Sequence, residues 1–170
     1  MSKEEALMTR LCEELPFLKD KISSPAEKRI FSSSLDRNQF NRAVRALHDR
    51  LGFYRAHHVI GVDDGDTLGF LYLFSNEDNI MLCLKESVPK SHPEIDSATW
   101  LYPCLLLHEL ELADLFGAVI DGLPNRPHYP LPDGWPEGNY PMRKEWNPAY
   151  FNKDTMTYEE PKGEEGVTNE

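Results

Sequence analysis

FYRAHHVIGVDDGDTLGFLYLFSNEDNIMLCLKESV, residues 53–88, decides the fold. Two runs rich in β-branched and aromatic residues flank DDGD at 63–66. Asp-Gly supplies the positive φ angles of a tight turn, so the two runs form a hairpin. The NED turn at 76–78 then leads into a third strand, NIMLCLKESV, over 79–88. Three consecutive strands joined by short turns give a small sheet, and the flanking segments must cover it.

Upstream, KRIFSSSL at 28–35 reads as another strand. Asp36 follows as an N-cap, with Gln39 three residues on as in a capping box. Phe40, Val44, Leu47 and Leu51 form one apolar stripe before Gly52, which predicts a helix over 37–51. Leu7, Leu11, Leu15 and Leu18 predict an amphipathic helix within 3–19 that ends or bends at Pro16. KISSP, 21–25, reads as a connector. Downstream, SATWLY at 97–102 reads as a short helical turn capped by Ser97. A further helix lies between Pro103, suited to a first turn, and Gly117, suited to the position past the end. On it Leu105, His108, Leu112 and Leu115 share one face, and Glu111 and Asp114 another. The expected architecture is α/β (α+β): a small mixed or antiparallel sheet with helices packed on one side, and a long extended proline-rich C-terminal arm.

The composition changes after Gly117. Residues 118–151 hold Pro124, Pro127, Pro130, Pro132, Pro136, Pro141 and Pro148, seven of the thirteen prolines. Such density forbids regular helix and central strand. The segment nevertheless carries Tyr129, Trp135, Tyr140, Trp146, Tyr150 and Phe151, and disordered chains are poor in aromatics. Extended chain that must bury aromatics predicts an arm, partly wrapped on its own domain and mainly laid on a partner. The organisation read from sequence is a globular domain over 1–117, a partner-binding arm over 118–151 and an acidic, flexible tail over 152–170.

The 170 residues carry a net charge of −11, which argues against nucleic acid or anionic membrane as partners. No apolar run approaches the ~20 residues of a membrane span. MSKEEALMTR lacks the apolar core of a signal peptide, so a cytoplasmic location is expected. Cys12, Cys83 and Cys104 are scattered and form no C-x-x-C pair. They read as buried, reduced core thiols rather than a disulfide framework or cluster ligands.

HELELADLFG, 108–117, raises the question of chemistry. A zincin needs a second histidine four residues after the first, and Leu112 stands there. His57 and His58 are neighbours on a strand and point to opposite faces. His108 with Glu111 leaves one alternative, a small stand-alone metal-dependent hydrolase. Paired acid–base catalysis needs carboxylates across a pocket, whereas Glu109, Glu111 and Asp114 lie on one short helix. No nucleophile motif and no phosphate-binding loop is present. Recognition is the remaining class: carboxylates leading into an arm that carries Arg143 and Lys144 suit a protein partner, as a member of a complex or as an acidic adaptor.

Taken together, HELELADLFG and LPDGWPEGNYPMRKEW resemble the 30-kDa (C) subunit family of respiratory complex I. The family pattern reads E-R-E-x-x-D-x-F-G-I, then H-P-D-x-R-R, then P-D-D-W-x-G-x-P-L-R-K-D-Y. Glu109, Glu111, Asp114, Phe116 and Gly117 match the first part, and Pro124 and Arg126 the second. Pro132, Asp133, Trp135, Gly138, Pro141, Arg143 and Lys144 match the third. Leu110 and Leu123 depart from it, Arg126 stands alone, and PEGNY lengthens the last spacing. These departures resemble the small hydrophilic subunit of energy-converting membrane-bound [NiFe] hydrogenases and allied sulfur-reducing complexes. The resemblance implies a non-catalytic subunit of an ion-translocating oxidoreductase complex, with the matching residues as its partner interface. It would dock on the hydrogenase-like large subunit beside iron–sulfur subunits. It implies no cofactor and no metal in this chain, clusters and any NiFe site being on partners. Peripheral attachment on the cytoplasmic side of the membrane, through those partners, follows.

Overall fold

The computed structural model describes residues 2–124 and 128–159. The meander forms as its turns dictate. β3 (Arg55–Asp63), β4 (Thr67–Ser75) and β5 (Met81–Pro89) pair antiparallel in sequence. Gly65 takes φ +100°, and Asp63 Oδ1 accepts its N–H at 2.8 Å. β2 (Arg29–Leu35) lies parallel to β5, and with β1 (Ile22–Ala26) at one edge the sheet is mixed, in the order β1-β2-β5-β4-β3.

The edge strand β1 (Ile22–Ala26) occupies most of the KISSP stretch expected to be a connector. Nothing in ISSPA alternates, and only Ile22 is half-buried. It becomes a strand because β2 offers an edge of unpaired backbone groups. The pairing register shifts between Ser23 and Ala26, around Pro25, which has no N–H to give.

α1 (Lys3–Glu14) starts at a Ser2/Glu5 capping box and stops short of Pro16; a 3-10 turn over Pro16–Leu18 still delivers Leu18 to the core. α2 (Arg37–Asp49) starts at the expected Asp36/Gln39 box. α3 (Leu106–Phe116) follows a 3-10 turn at Pro103–Leu105 and ends at Gly117, in the left-handed region at φ +69°. Leu7 and Leu11 of α1, Phe40 and Leu47 of α2, and Leu112 and Phe116 of α3 meet Leu68, Phe70, Tyr72, Phe74, Leu82 and Leu84 of the sheet in one core. Gly61 allows the closest approach: a Cβ there would lie 2.3 Å from the Phe116 ring. All three helices therefore sit on one face. A short parallel ribbon of β6 (Glu94–Asp96) and β7 (Val119–Asp121) follows the core edge, and Arg37 of α2 ties onto it through Asp96.

Candidate partner interface

The inward face of α3 is rotated from the sequence reading. Leu105, Glu109, Leu112 and Phe116 are buried, and His108 is only part-buried. A carboxylate ordinarily seeks water, but Glu109 has donors waiting. Its Oε2 accepts the Ser97 hydroxyl at 2.6 Å and its Oε1 accepts the Ala98 N–H at 2.8 Å. The Tyr72 hydroxyl stands 3.4 Å away. Ser97 does cap a turn, its Oγ accepting from Thr99 N, while Ala98 O accepts from Leu101 and Tyr102. Burial raises the Glu109 pKa, and the bonds from Ser97, Ala98 and Tyr72 pull against it.

A second core carboxyl, Glu86 on β5, has no partner for either oxygen and no exposure. Desolvation pushes its pKa up to about 8; the charge of Asp96 adds to this and Arg37 opposes it. Sequence reading misses Glu86. The signal is present, because alternation in MLCLKESV puts Leu82, Leu84, Glu86 and Val88 on one face.

The other two motif carboxylates face outward. Asp114 accepts the Leu131 N–H at 3.1 Å and stands 3.0 Å from His128 Nδ1. Glu111 has a half-exposed side chain, 3.9 Å from His108 Nδ1, which itself stands 3.0 Å from His58 Nδ1. Among the described residues no group of three or more His, Cys, Asp or Glu could hold a metal ion.

The arm is seated on this helix end. Arg143 Nε donates to Phe116 O at 2.7 Å, and its guanidinium lies 4.4 Å above the Tyr140 ring. That ring fills the space where a Gly117 Cβ would stand, 2.5 Å away. Met142 N donates to Leu115 O. Lys144 N donates to Asp63 Oδ2 at 2.8 Å, and Lys90 Nζ reaches the same oxygen at 2.7 Å. Burial would raise the Asp63 pKa, but the bonds from Lys90, Lys144 and Gly65 hold it down to about 2. Further on, Trp135 donates to Asn139 O across a turn in which Gly138 takes φ +76°. Its ring packs on Phe151 at 4.6 Å and Trp146 at 6.0 Å. β8 (Phe151–Asn152) and β9 (Thr157–Tyr158) pair as a hairpin that runs from the last residue of the arm into the first residues assigned from sequence to the tail.

Of the motif residues, the structure brings together Asp114, Phe116, Gly117, Arg143 and Lys144. Trp135 and Gly138 shape the aromatic cluster beyond them. Pro124, Pro132 and Asp133 are exposed, Pro141 is half-buried, and Arg126 lies outside the described residues. Asp114→Ala is expected to free the arm around Leu131 at a cost of about 1–2 kcal/mol. Limited proteolysis reads this as new cleavage between residues 128 and 142; an unchanged digest would refute it.

The profile of the "Respiratory-chain NADH dehydrogenase, 30 Kd subunit" family matches residues 33–152. The membrane-bound hydrogenase subunit beta of Pyrococcus furiosus is 35% identical over 94 residues, 52% of this chain and 54% of that protein. The C subunit of the NADH-quinone oxidoreductase of a Nocardioides species is 34% identical over 103 residues, 58% of this chain and 40% of that protein. The chain thus spans about half the length of the curated relatives it matches. A chain from the structure of the membrane-bound sulfane sulfur reductase, an archaeal respiratory membrane complex, shares the fold. Its TM-score is 0.73 at 19% identity, over 92% of this chain and 99% of that one.

Proposed function

We propose, for a chain that belongs to the respiratory-chain NADH dehydrogenase 30 Kd subunit family, a non-catalytic role as a hydrophilic subunit of a membrane-bound, ion-translocating oxidoreductase complex. It docks on the hydrogenase-like large subunit and stabilises the peripheral part of that complex. The observation that carries this reading is the match over residues 33–152, which takes in α3 and the arm seated on it. The relatives named above, one from a membrane-bound hydrogenase and one from an NADH-quinone oxidoreductase, are themselves subunits.

The chemistry is consistent with such a role. Glu109 is spent inside the core and Asp114 on the arm, which leaves Glu111 on α3 and Asp133 on the arm as the motif carboxylates open to a partner's cation. The arm turns Met142 and Tyr129 outward, and Lys144 is exposed. Iron–sulfur clusters and any NiFe site are assigned to partner subunits, and no cofactor to this chain. No helix among the described residues is long and apolar enough to cross a membrane, and we assign the chain to the cytoplasmic side, held through its partners. The metal-dependent hydrolase alternative finds no support: among the described residues no group of His108 and Glu111 with a further His, Cys, Asp or Glu could hold a metal ion, and neither of the relatives named above points to it.

The test is affinity purification of the tagged chain from native membranes, with the co-purifying proteins identified by mass spectrometry. A hydrogenase-like large subunit in fixed proportion is the expected result. A chain that purifies alone would overturn the reading.

A further inference from the structure

We propose that the face of the five-stranded sheet opposite the helices is a docking surface for a different subunit, one that presents an apolar layer without basic residues. The inference rests on the subunit reading above and locates a contact that neither the motif residues nor the arm provides.

Residues opposite one another on neighbouring strands share a face. One row across this face is Phe31, Cys83, Leu73 and His58, and the next is Lys85, Leu71 and Ile60. None of these belongs to the core cluster or packs against it. His58, at the sheet edge, meets the His108 ring of α3 and Cys83 is buried, whereas no helix among the described residues is in contact with Phe31, Leu73, Leu71 or Ile60. Phe31 and Ile60 are each 41% exposed. The central strand β4, TLGFLYLFS, is apolar on both its alternations, a pattern of strands buried on two sides. This chain buries only one of them.

The charges indicate what covers the other. The chain has 29 Asp and Glu residues, yet no strand residue on this face is acidic. Lys85 lies down over Gly69 and is neutralised by Asp64 at 2.6 Å. Arg29 and Arg55, aligned through Met81 and Ser75, are exposed at one end of the face. The face therefore carries positive charge at its rim and none of the negative charge that keeps the rest of the surface in water. A second copy is a poor occupant, because each chain brings a net −11 and chains so charged repel. Residues 160–170 are a poor occupant too, with Val167 as their one large apolar side chain. A heterologous apolar layer completes the burial without that repulsion.

The test uses the full-length chain in its native complex. Phe31→Arg and Ile60→Glu place charges on the face at exposed positions, so the isolated variants are expected to melt within a few degrees of wild type. Recovery of partner subunits is expected to fall about tenfold or more for each variant. Undiminished recovery would overturn the proposal while leaving the subunit reading intact. If wild type recovers some other subunit than a hydrogenase-like one, and the variants lose it, the sheet face stands and the earlier reading falls. If wild type recovers nothing, both fall. If the isolated wild type sediments as a dimer that Ile60→Glu dissociates, the occupant is a second copy and the proposal is wrong.

Discussion

The isolated chain is expected to lose stability as pH rises from about 4.5 to about 8, and Glu86→Gln is expected to remove most of that slope. The folded Glu86 carboxyl holds its proton up to about pH 8, against an ordinary value of 4.5. Over that window the folded state keeps a proton that the unfolded state has released. Raising the pH therefore favours unfolding, by about 1.4 kcal/mol for each pH unit and by up to about 5 kcal/mol in total. Below the ordinary value the two states are equally protonated and the penalty vanishes. The cause is geometric. Glu86 faces the core between Phe70 and Leu35 on its neighbouring strands, and neither oxygen finds a donor. Glu86→Leu is expected to stabilise the chain at pH 8. Urea denaturation of wild type and both variants at pH 5 and pH 8.5 reads the effect. Parallel pH dependence in wild type and Glu86→Gln would show that the carboxyl is not the source.

Substitution of Glu109, on the helix facing the same core, is expected to have the opposite effect on stability. Glu109→Ala is expected to cost about 3 kcal/mol or more, because it leaves the Ala98 N–H without its acceptor in the core, takes the carboxylate from the Ser97 hydroxyl and leaves a cavity. Glu109→Gln keeps one acceptor oxygen and is expected to cost roughly half as much. Both carboxyls are fully buried, yet removing one helps and removing the other harms. The difference lies in the donors that meet them. Denaturation midpoints at pH 6 provide the comparison, and a Glu109→Ala variant as stable as wild type would remove the role assigned here.

The contrast also marks the limit of sequence reading. The meander is legible because its turns announce themselves: Asp63–Asp66 and Asn76–Asp78 contain the residues that reverse a chain. Pro103 and Gly117 bound α3 for the same local reason. β1 is not legible, because ISSPA becomes a strand only when the edge of β2 lies beside it. The inward turn of Glu109 is hidden as well, since its donors come from Ser97, Ala98 and Tyr72 on other elements. At the candidate interface, the motif marks Glu109, Glu111, Asp114, Arg143 and Lys144 alike, and only Asp114, Arg143 and Lys144 fasten the arm. Asp63, the acceptor for both Lys144 and Lys90, reads in the sequence as nothing more than the start of a turn.

The way the arm is fastened has a consequence for how such chains can diverge. Leu131, Met142 and Lys144 are held through their main-chain N–H groups, on Asp114, Leu115 and Asp63. Leu131 sits between Pro130 and Pro132, and Met142 directly follows Pro141. The prolines fix the backbone φ on either side, and the residues between them supply the donors. Every amino acid except proline carries that donor. The outward side chains of the arm can thus be exchanged with little effect on its seat, whereas the two anchoring carboxylates cannot. Drift in sequence is confined to the surface a partner would meet, so one scaffold can be refitted to different complexes without being rebuilt.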